Sequence, residues 1–281
     1  MTSQPLRDRL ERFGIRPKRR FGQNFLHERS ALDRITAAVA EESPDGIIEI
    51  GPGPGTLTER LADLGVPLVA VEKDTELVEL LGHELRAHPH VRVRAGDILE
   101  TDLGSLFTGS RPTVVGNIPY NISTPILLAL LRAREQLGAA ILMVQAELGE
   151  RLRASVGSRA AGSLTVLLHQ LADVERVLGL APGAFFPPPK VRSEVLRIRW
   201  LDQGREPVAD LRLFEKIVRA GFGQRRKTLR NALKVLGEKV EWCEERARAV
   251  DVNLDRRAET LELAEWRALA NEWGRAASLP T

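Results

Sequence analysis

The chain has 281 residues, 43% hydrophobic and 28% charged, which suits a large folded domain plus a small one and is too apolar for a disordered chain. No apolar run approaches the roughly 18 residues that a membrane-spanning helix needs, and the stretch from Met1 to Phe13 lacks the apolar centre of a secretory signal. The net charge is only +3, yet seven lysines stand against 34 arginines and the sequence pI is about 9.3.

A lone cysteine, Cys243, cannot form an internal disulfide, and no Cys or His cluster has the spacing of a metal site. A reducing, cytoplasmic setting without a metal is expected, and no membrane partner. Arginine binds phosphate bidentately and stacks on bases, so its excess admits a nucleic-acid partner. A GC-rich genome or a thermophilic source would give the same excess. Distribution says more than the total. Arg16-Pro17-Lys18-Arg19-Arg20 and Gln224-Arg225-Arg226-Lys227-Thr228-Leu229-Arg230 are concentrated basic blocks.

Between residues 45 and 146 short β-rich runs alternate with helical stretches. Strands are predicted at 47–50, 68–71, 91–95, 113–116 and 140–144, with helices at 56–64, 75–86 and 123–134. Strands separated by such helices imply βαβ units, a mostly parallel sheet and right-handed crossovers: a doubly wound α/β fold. A helix at 163–171 and strands at 174–178 and 194–200 follow, the strands at the sheet edge. The polar segment Asp202 to Pro207 holds both Gly and Pro and marks a boundary. The expected domains are 1–204, with an N-terminal extension 1–26, and a small all-helical domain at 205–281. In the latter, Leu213, Phe214, Ile217 and Val218 share a face, and Leu229, Ala232, Leu233 and Leu236 recur at helical spacing.

The segment Glu49-Ile50-Gly51-Pro52-Gly53-Pro54-Gly55-Thr56 lies between a predicted strand and a helix. Glycines there let the backbone approach a ligand closely. The dinucleotide fingerprint G-x-G-x-x-G leaves room for a pyrophosphate at the helix N-terminus. This loop is G-x-G-x-G, with an acid two residues before it. It resembles the first motif of the Rossmann-like S-adenosylmethionine methyltransferases, whose ligand has no phosphate. A tight turn without a ligand would use the same glycines. Glu72 ends the second strand about 20 residues on, where an acid can accept hydrogen bonds from ribose hydroxyls. Asp97 follows the third strand and could accept from an adenine amino group, or simply serve a turn. Gly51, Gly53, Glu72 and Asp97 are the cofactor candidates that these tips supply.

After the fourth strand comes Asn117-Ile118-Pro119-Tyr120, which resembles the N-[I/P]-P-[Y/F] signature of methyltransferases that act on exocyclic amino groups. The residue types follow from the chemistry. The lone pair of adenine N6 is delocalised into the ring, which makes it a poor nucleophile. Two acceptors, the Asn117 amide oxygen and the Ile118 carbonyl, can hold its N–H bonds and favour a pyramidal nitrogen. Pro119 fixes φ and the carbonyl direction. Tyr120 offers a ring for the target base, a stack worth on the order of 1–3 kcal/mol, once the base has left its own stack.

Four stretches carry a resemblance over most of the chain: Phe21 to Leu26, Asn117 to Thr124, Phe185 to Val191 with Ser193, and Phe222 to Leu233. Arg257 to Leu261 adds a fifth. Together they resemble the bacterial dimethyladenosine transferases of small-subunit (16S) ribosomal RNA. The resemblance implies a Rossmann-like sheet with helices on both faces, S-adenosyl-L-methionine as cofactor, and dimethylation of two adjacent adenosines in the 3′-terminal hairpin loop of 16S rRNA. The expected partner is a pre-30S subunit during ribosome biogenesis, met by a monomer. It further implies that Asn24 and Leu26 help close the cofactor pocket with Asn117, and that Phe185 stands opposite Tyr120 to sandwich the base. Arg225, Arg226, Lys227, Arg230 and Lys234, with Lys190 after the triple proline, are the RNA-contacting candidates. Arg226, Arg230 and Lys234 recur every four residues, as on one helix face, and would position phosphates without reading sequence. A solvated charged face would have the same spacing.

Three other readings are open. A 23S rRNA adenine dimethylase of the antibiotic-resistance type shares the fold and the Asn117 to Tyr120 pattern. A non-catalytic assembly factor would keep the fold without the reaction, although intact Asn117, Pro119 and Tyr120 argue against it. A small-molecule methyltransferase would leave the basic helical segment unexplained.

Overall fold

The computed structural model describes residues 6–202, 204–224 and 226–277. Helix α1 (Leu6–Arg12) and the short strand β1 (Phe25–Leu26) precede α2 (Arg29–Ala40). Then come β2 (Ile47–Ile50), α3 (Thr58–Ala62), β3 (Leu68–Glu72), α4 (Thr75–Glu84), β4 (Val91–Ala95), β5 (Thr113–Asn117), α5 (Ser123–Ala133) and β6 (Ala139–Gln145). Helices α6 (Ala146–Arg153) and α7 (Ser163–Leu171) lead to β7 (Ala172–Leu180), β8 (Phe185–Phe186) and β9 (Ser193–Trp200). The chain then runs through α8 (Leu211–Phe222), α9 (Leu229–Ala232), α10 (Val240–Ala249) and α11 (Leu263–Ala277).

Seven strands form one sheet in the order β4-β3-β2-β5-β6-β9-β7. Strands β2 to β6 are parallel, and β9 runs antiparallel to β6. All four positions of β2 are buried, as expected of a central strand covered on both faces. The chain winds outward from β2 through β3 to β4, then crosses back to β5 on the other side of β2. The winding therefore reverses between β2 and β5, and the crevice at the carboxyl ends of strands there is where such sheets take ligands. Register aligns the tips: Ile50 pairs with Val71 and Gly116, and Glu72 with Ala95. Gly51, Glu72, Asp97 and Asn117 consequently lie along one edge. A Cβ at Gly116 would stand 2.6 Å from the Ile50 carbonyl oxygen, so no side chain fits where β5 passes β2.

Helix α2 carries a single apolar stripe, Ala31, Leu32, Ile35, Ala38 and Val39, which joins Ile47, Val115 and Ile141 of the sheet in one core. Helix α4 starts where the Asp74 side chain accepts from the Glu76 amide. Its Leu77, Leu80 and Leu81 pack with Leu6 and Leu10 of α1 and with Phe25 in a second cluster.

Packing divides the chain into two compact units, residues up to 149 with 174–200, and residues 150–173 with those from 201 onward. The sequence placed the division at 204/205 and kept 1–204 together. The difference is α7, which is buried at seven of its nine positions, too many for one face of a surface helix. In the second unit, Gln170 donates to the Glu206 carbonyl and Arg205 to the His169 carbonyl, tying α7 to the segment before α8. Trp266 is fully buried there and stacks on Phe222, ring centres 5.7 Å apart. Among the described residues no helix is long and apolar enough to cross a membrane.

Gly116→Ala should push β5 off β2. We expect a loss of about 1–3 kcal/mol, read as a lowered urea midpoint; an unchanged midpoint would mean that the two strands tolerate the extra methyl.

Candidate active site

The loop after β2 is bound to the strand beside it. The Gly53 amide donates to Glu72 Oε2 at 3.1 Å, and the Asp74 amide donates to Oε1 at 2.8 Å. Burial pushes the Glu72 carboxyl up, against the pull of these two amides. Gly53 has φ +59, and a Cβ on it would meet the Phe25 ring at 2.9 Å, so glycine alone allows Phe25 to lie on the loop. From α1, the buried Arg9 donates to the Pro54 carbonyl at 2.8 Å and pairs with Glu59 at 2.6 Å.

A cavity of about 190 Å³ opens along this edge, lined by Asn24, Gly51, Gly53, Glu72, Asp97 and Asn117. Val71, Leu77, Ile98 and Leu99 give it apolar walls, and Ile118, Pro119 and Tyr120 complete it. Asp97 does two jobs. Its Oδ1 accepts from the Leu99 amide at 3.0 Å in a turn, and its Oδ2 pairs with Lys73 at 2.6 Å. The Lys73 ammonium holds the Asp97 carboxyl below its ordinary value.

At the tip of β5 the Asn117 amide nitrogen donates to the Asn24 carbonyl oxygen at 2.7 Å. A carbonyl only accepts, so the nitrogen end of the amide is fixed, and the oxygen end is the one free of protein partners among the described residues. Pro119 follows at φ −57, and the Ser123 hydroxyl donates to its carbonyl at 3.1 Å. The Tyr120 hydroxyl shares a 2.5 Å hydrogen bond with the Ser193 hydroxyl, buried at the start of β9. Burial pushes the Tyr120 phenol up, which keeps it neutral.

The N-terminal segment straps across this edge through Lys18 and Gln23, whose contacts sequence reasoning missed. Lys18 Nζ pairs with Asp74 at 2.7 Å and Glu76 at 2.9 Å. Gln23 donates to the other Asp74 oxygen at 2.8 Å and accepts from the Lys18 amide at 2.7 Å. The Asn24 side chain donates to the Gly22 carbonyl at 3.0 Å.

Two expected site residues lie elsewhere. Leu26 and Phe185 are partners in the antiparallel ribbon of β1 and β8, 4% and 2% exposed, in the core with Ile35 and Leu57. Neither lines the cavity that holds Tyr120. The expected sandwich of Phe185 with Tyr120 is therefore corrected: in this ribbon Phe185 faces the core while Phe186 packs with Phe25. Leu26 reaches the glycine loop through its carbonyl, which accepts from the Thr56 hydroxyl at 2.8 Å.

A family model described as ribosomal RNA adenine dimethylase matches residues 14–269. The chain belongs to the ribosomal RNA adenine dimethylase family. The dimethylase is 44% identical over 262 residues to the ribosomal RNA small subunit methyltransferase A of Geobacter metallireducens, covering 92% of this chain and 95% of the relative. It is 40% identical over 263 residues to that of Pseudomonas aeruginosa, covering 93% and 96%. Among solved structures, a dimethyladenosine transferase from Plasmodium falciparum matches with a TM-score of 0.75 at 24% identity, covering 90% of this chain and 98% of that one. The 23S rRNA methyltransferase ErmE matches with a TM-score of 0.67 at 25% identity, covering 89% and 99%.

The dimethylase uses S-adenosyl-L-methionine as methyl donor, and the cavity suits it. Ribose hydroxyls, an adenine amino group and a positively charged sulfur need acceptors. The cavity offers the carboxylates of Glu72 and Asp97 and the amide oxygen of Asn117. The Gly53 amide is taken by Glu72 and is not left to bind a phosphate.

The basic candidates of the dimethylase's C-terminal segment differ from one another. Arg225 lies outside the described residues. Helix α9 begins only at Leu229, after an extended Thr228, and passes at Leu233 into a 3-10 turn that ends at Gly237 with φ +88. Arg226, Arg230 and Lys234 therefore do not share one α-helical face, which corrects the stripe expected from their spacing. Arg230 pairs with Glu244 and Asp255, so its charge is answered within the fold. Arg226, Lys227 and Lys234 are exposed, as is Lys190.

Glu49, in the middle of β2, is 2% exposed, and burial pushes its carboxyl up to about 8 from 4.5. The folded chain then holds this proton more tightly than the unfolded chain does. Stability from this group is full below the unfolded value and falls as pH rises toward the folded one. Glu49→Gln has no proton to lose. Its melting temperature should drop less than that of the parent between about pH 5 and pH 8; parallel curves would refute the assignment.

Proposed function

We propose that this dimethylase acts on 16S ribosomal RNA, placing two methyl groups on each of two adjacent adenosines in the 3′-terminal hairpin loop. The proposed substrate form is a pre-30S particle, met by a monomer in the cytoplasm. The end-to-end likeness to small subunit methyltransferases at 40–44% identity favours 16S over 23S RNA. The observation that carries the chemistry is the fixed amide of Asn117, whose nitrogen is held by the Asn24 carbonyl.

In this reading Glu72 and Asp97 hold the nucleoside part of the cofactor, and Gly51, Gly53 and Asn24 its amino-acid part. When bound, the cofactor supplies a methyl group on a positively charged sulfur, already activated. The protein then has to hold the adenine amino group. The Asn117 oxygen accepts one N–H and the Ile118 carbonyl the other, which draws the nitrogen towards a pyramidal shape. Pro119, with its restricted φ, keeps that carbonyl aimed. Tyr120 takes the face of the base, and its hydroxyl bond to Ser193 fixes the ring plane. Positioning, with no strong base, carries the rate. The exposed Arg226, Lys227, Lys234 and Lys190 serve as phosphate contacts.

Incubation with labelled S-adenosylmethionine and undermethylated small subunits should give N6,N6-dimethyladenosine; product from large-subunit RNA alone would move the assignment to 23S. Tyr120→Ala should lower kcat/KM by roughly 10- to 100-fold, in line with a stack of about 1–3 kcal/mol, with cofactor affinity within about twofold of the parent. Equal kcat/KM would remove the stacking role. Asn117→Ala should abolish transfer, and measurable dimethyladenosine from it would reject the acceptor role.

A further inference from the structure

The basic block at residues 16–20 is split by the fold. Lys18 points inward and is spent on Asp74 and Glu76. Arg16, Arg19 and Arg20 are exposed, and none of their guanidinium groups has a hydrogen bond or ion pair with another described residue. The Arg20 guanidinium lies over the Phe21 ring, 4.8 Å from its centre. Arg20 and Phe21 line the mouth of the same cavity as Tyr120 and Asn121. The two lips meet at Gly22, where a Cβ would sit 3.4 Å from Asn121 Oδ1 and 3.6 Å from Pro119 Cβ.

The turn is also stiff before any ligand arrives. The Phe21 amide donates to the Lys18 carbonyl and the Gly22 amide to the Arg19 carbonyl, both at 3.0 Å. Gln23 binds the Lys18 amide and Asp74 together. Of these unanswered guanidinium groups, Arg20 lines the pocket and Arg19 is its neighbour in the same turn, with Arg16 three residues before; a flipped nucleotide brings an anion on each side. Arg230, of the C-terminal block, already has carboxylate partners; these three do not.

We infer that Arg16, Arg19 and Arg20 form an RNA-contacting site of the dimethylase that grips the backbone phosphates flanking the target adenosine. The inference rests on ribosomal RNA being the substrate and not on the choice between 16S and 23S. The chemistry is phosphate recognition by guanidinium forks, so it steers and seats the strand without reading its sequence.

The test compares the parent with Arg19→Ala/Arg20→Ala and Arg19→Lys/Arg20→Lys. Binding of a fluorescein-labelled hairpin RNA with two adjacent adenosines in its loop is followed by anisotropy across a salt series. Each lost phosphate contact should flatten the log–log salt slope by about 0.7. The alanine pair should bind RNA about tenfold more weakly with a slope shallower by about 1.4, while the lysine pair recovers most of both. Cofactor affinity, measured by calorimetry without RNA, should stay within about twofold. Equal RNA affinity and slope in the alanine pair would overturn the inference. So would a loss confined to cofactor affinity, which would hand these cations to the carboxylate of S-adenosylmethionine. Failure of the 16S reading would show separately, as absence of transfer from the parent enzyme to small subunits.

Discussion

Strands β2 and β5 run side by side in the same direction because the chain has already left β2 once, through β3 and β4, before it returns. That reversal is the constraint on which the site depends. It brings Gly51 and Asn117 abreast although the chain between them makes two complete βαβ excursions. The absence of a side chain at Gly116 keeps the strands close at that point. The neighbouring register with β3 and β4 adds Glu72 and Asp97 to the same edge. A cofactor cleft and an amide acceptor thus become one site through backbone pairing alone.

The chemistry divides along that edge. On one side the loop amide of Gly53 and the Glu72 carboxylate satisfy each other, which leaves the cleft rich in acceptors and poor in donors for phosphate. On the other, Asn117 and Tyr120 are each held by one partner from a distant segment, Asn24 and Ser193. A dimethylase must seat the same nitrogen twice, first bearing two hydrogens and then one with a methyl. Rigid acceptors at a fixed distance from the cofactor cleft serve both rounds.

Much of this was legible in the sequence, for a physical reason. The alternation of strands and helices, the glycine loop and the Asn117 to Tyr120 motif are local patterns, and the tips of parallel strands are where an α/β sheet puts its ligands. The stripe of α2 is as regular as any, yet it carries no chemistry-bearing residue and entered no expectation. Contacts between distant segments had no local signature. Lys18 looked like one more cation in a basic run, and nothing near it shows that it turns in to Asp74. The pairing of Tyr120 with Ser193 likewise spans β5 to β9. Phe185 went astray because two adjacent phenylalanines in a short strand must point to opposite sides, and only the pairing with β1 decides which one enters the core. Arg230 kept helical spacing with its neighbours but lost its freedom to Glu244 and Asp255.

The partner that orients Asn117 is the main-chain oxygen of Asn24, not its side chain. Replacing residue 24 cannot delete that oxygen; only moving the segment can. The amide is thus insured against change at the position that holds it, and exposed to anything that loosens the clasp of Lys18 and Gln23 on Asp74, more than forty residues away in sequence from the reacting group. Selectivity for an amino group is, in this sense, a property of how well a surface strap lies down.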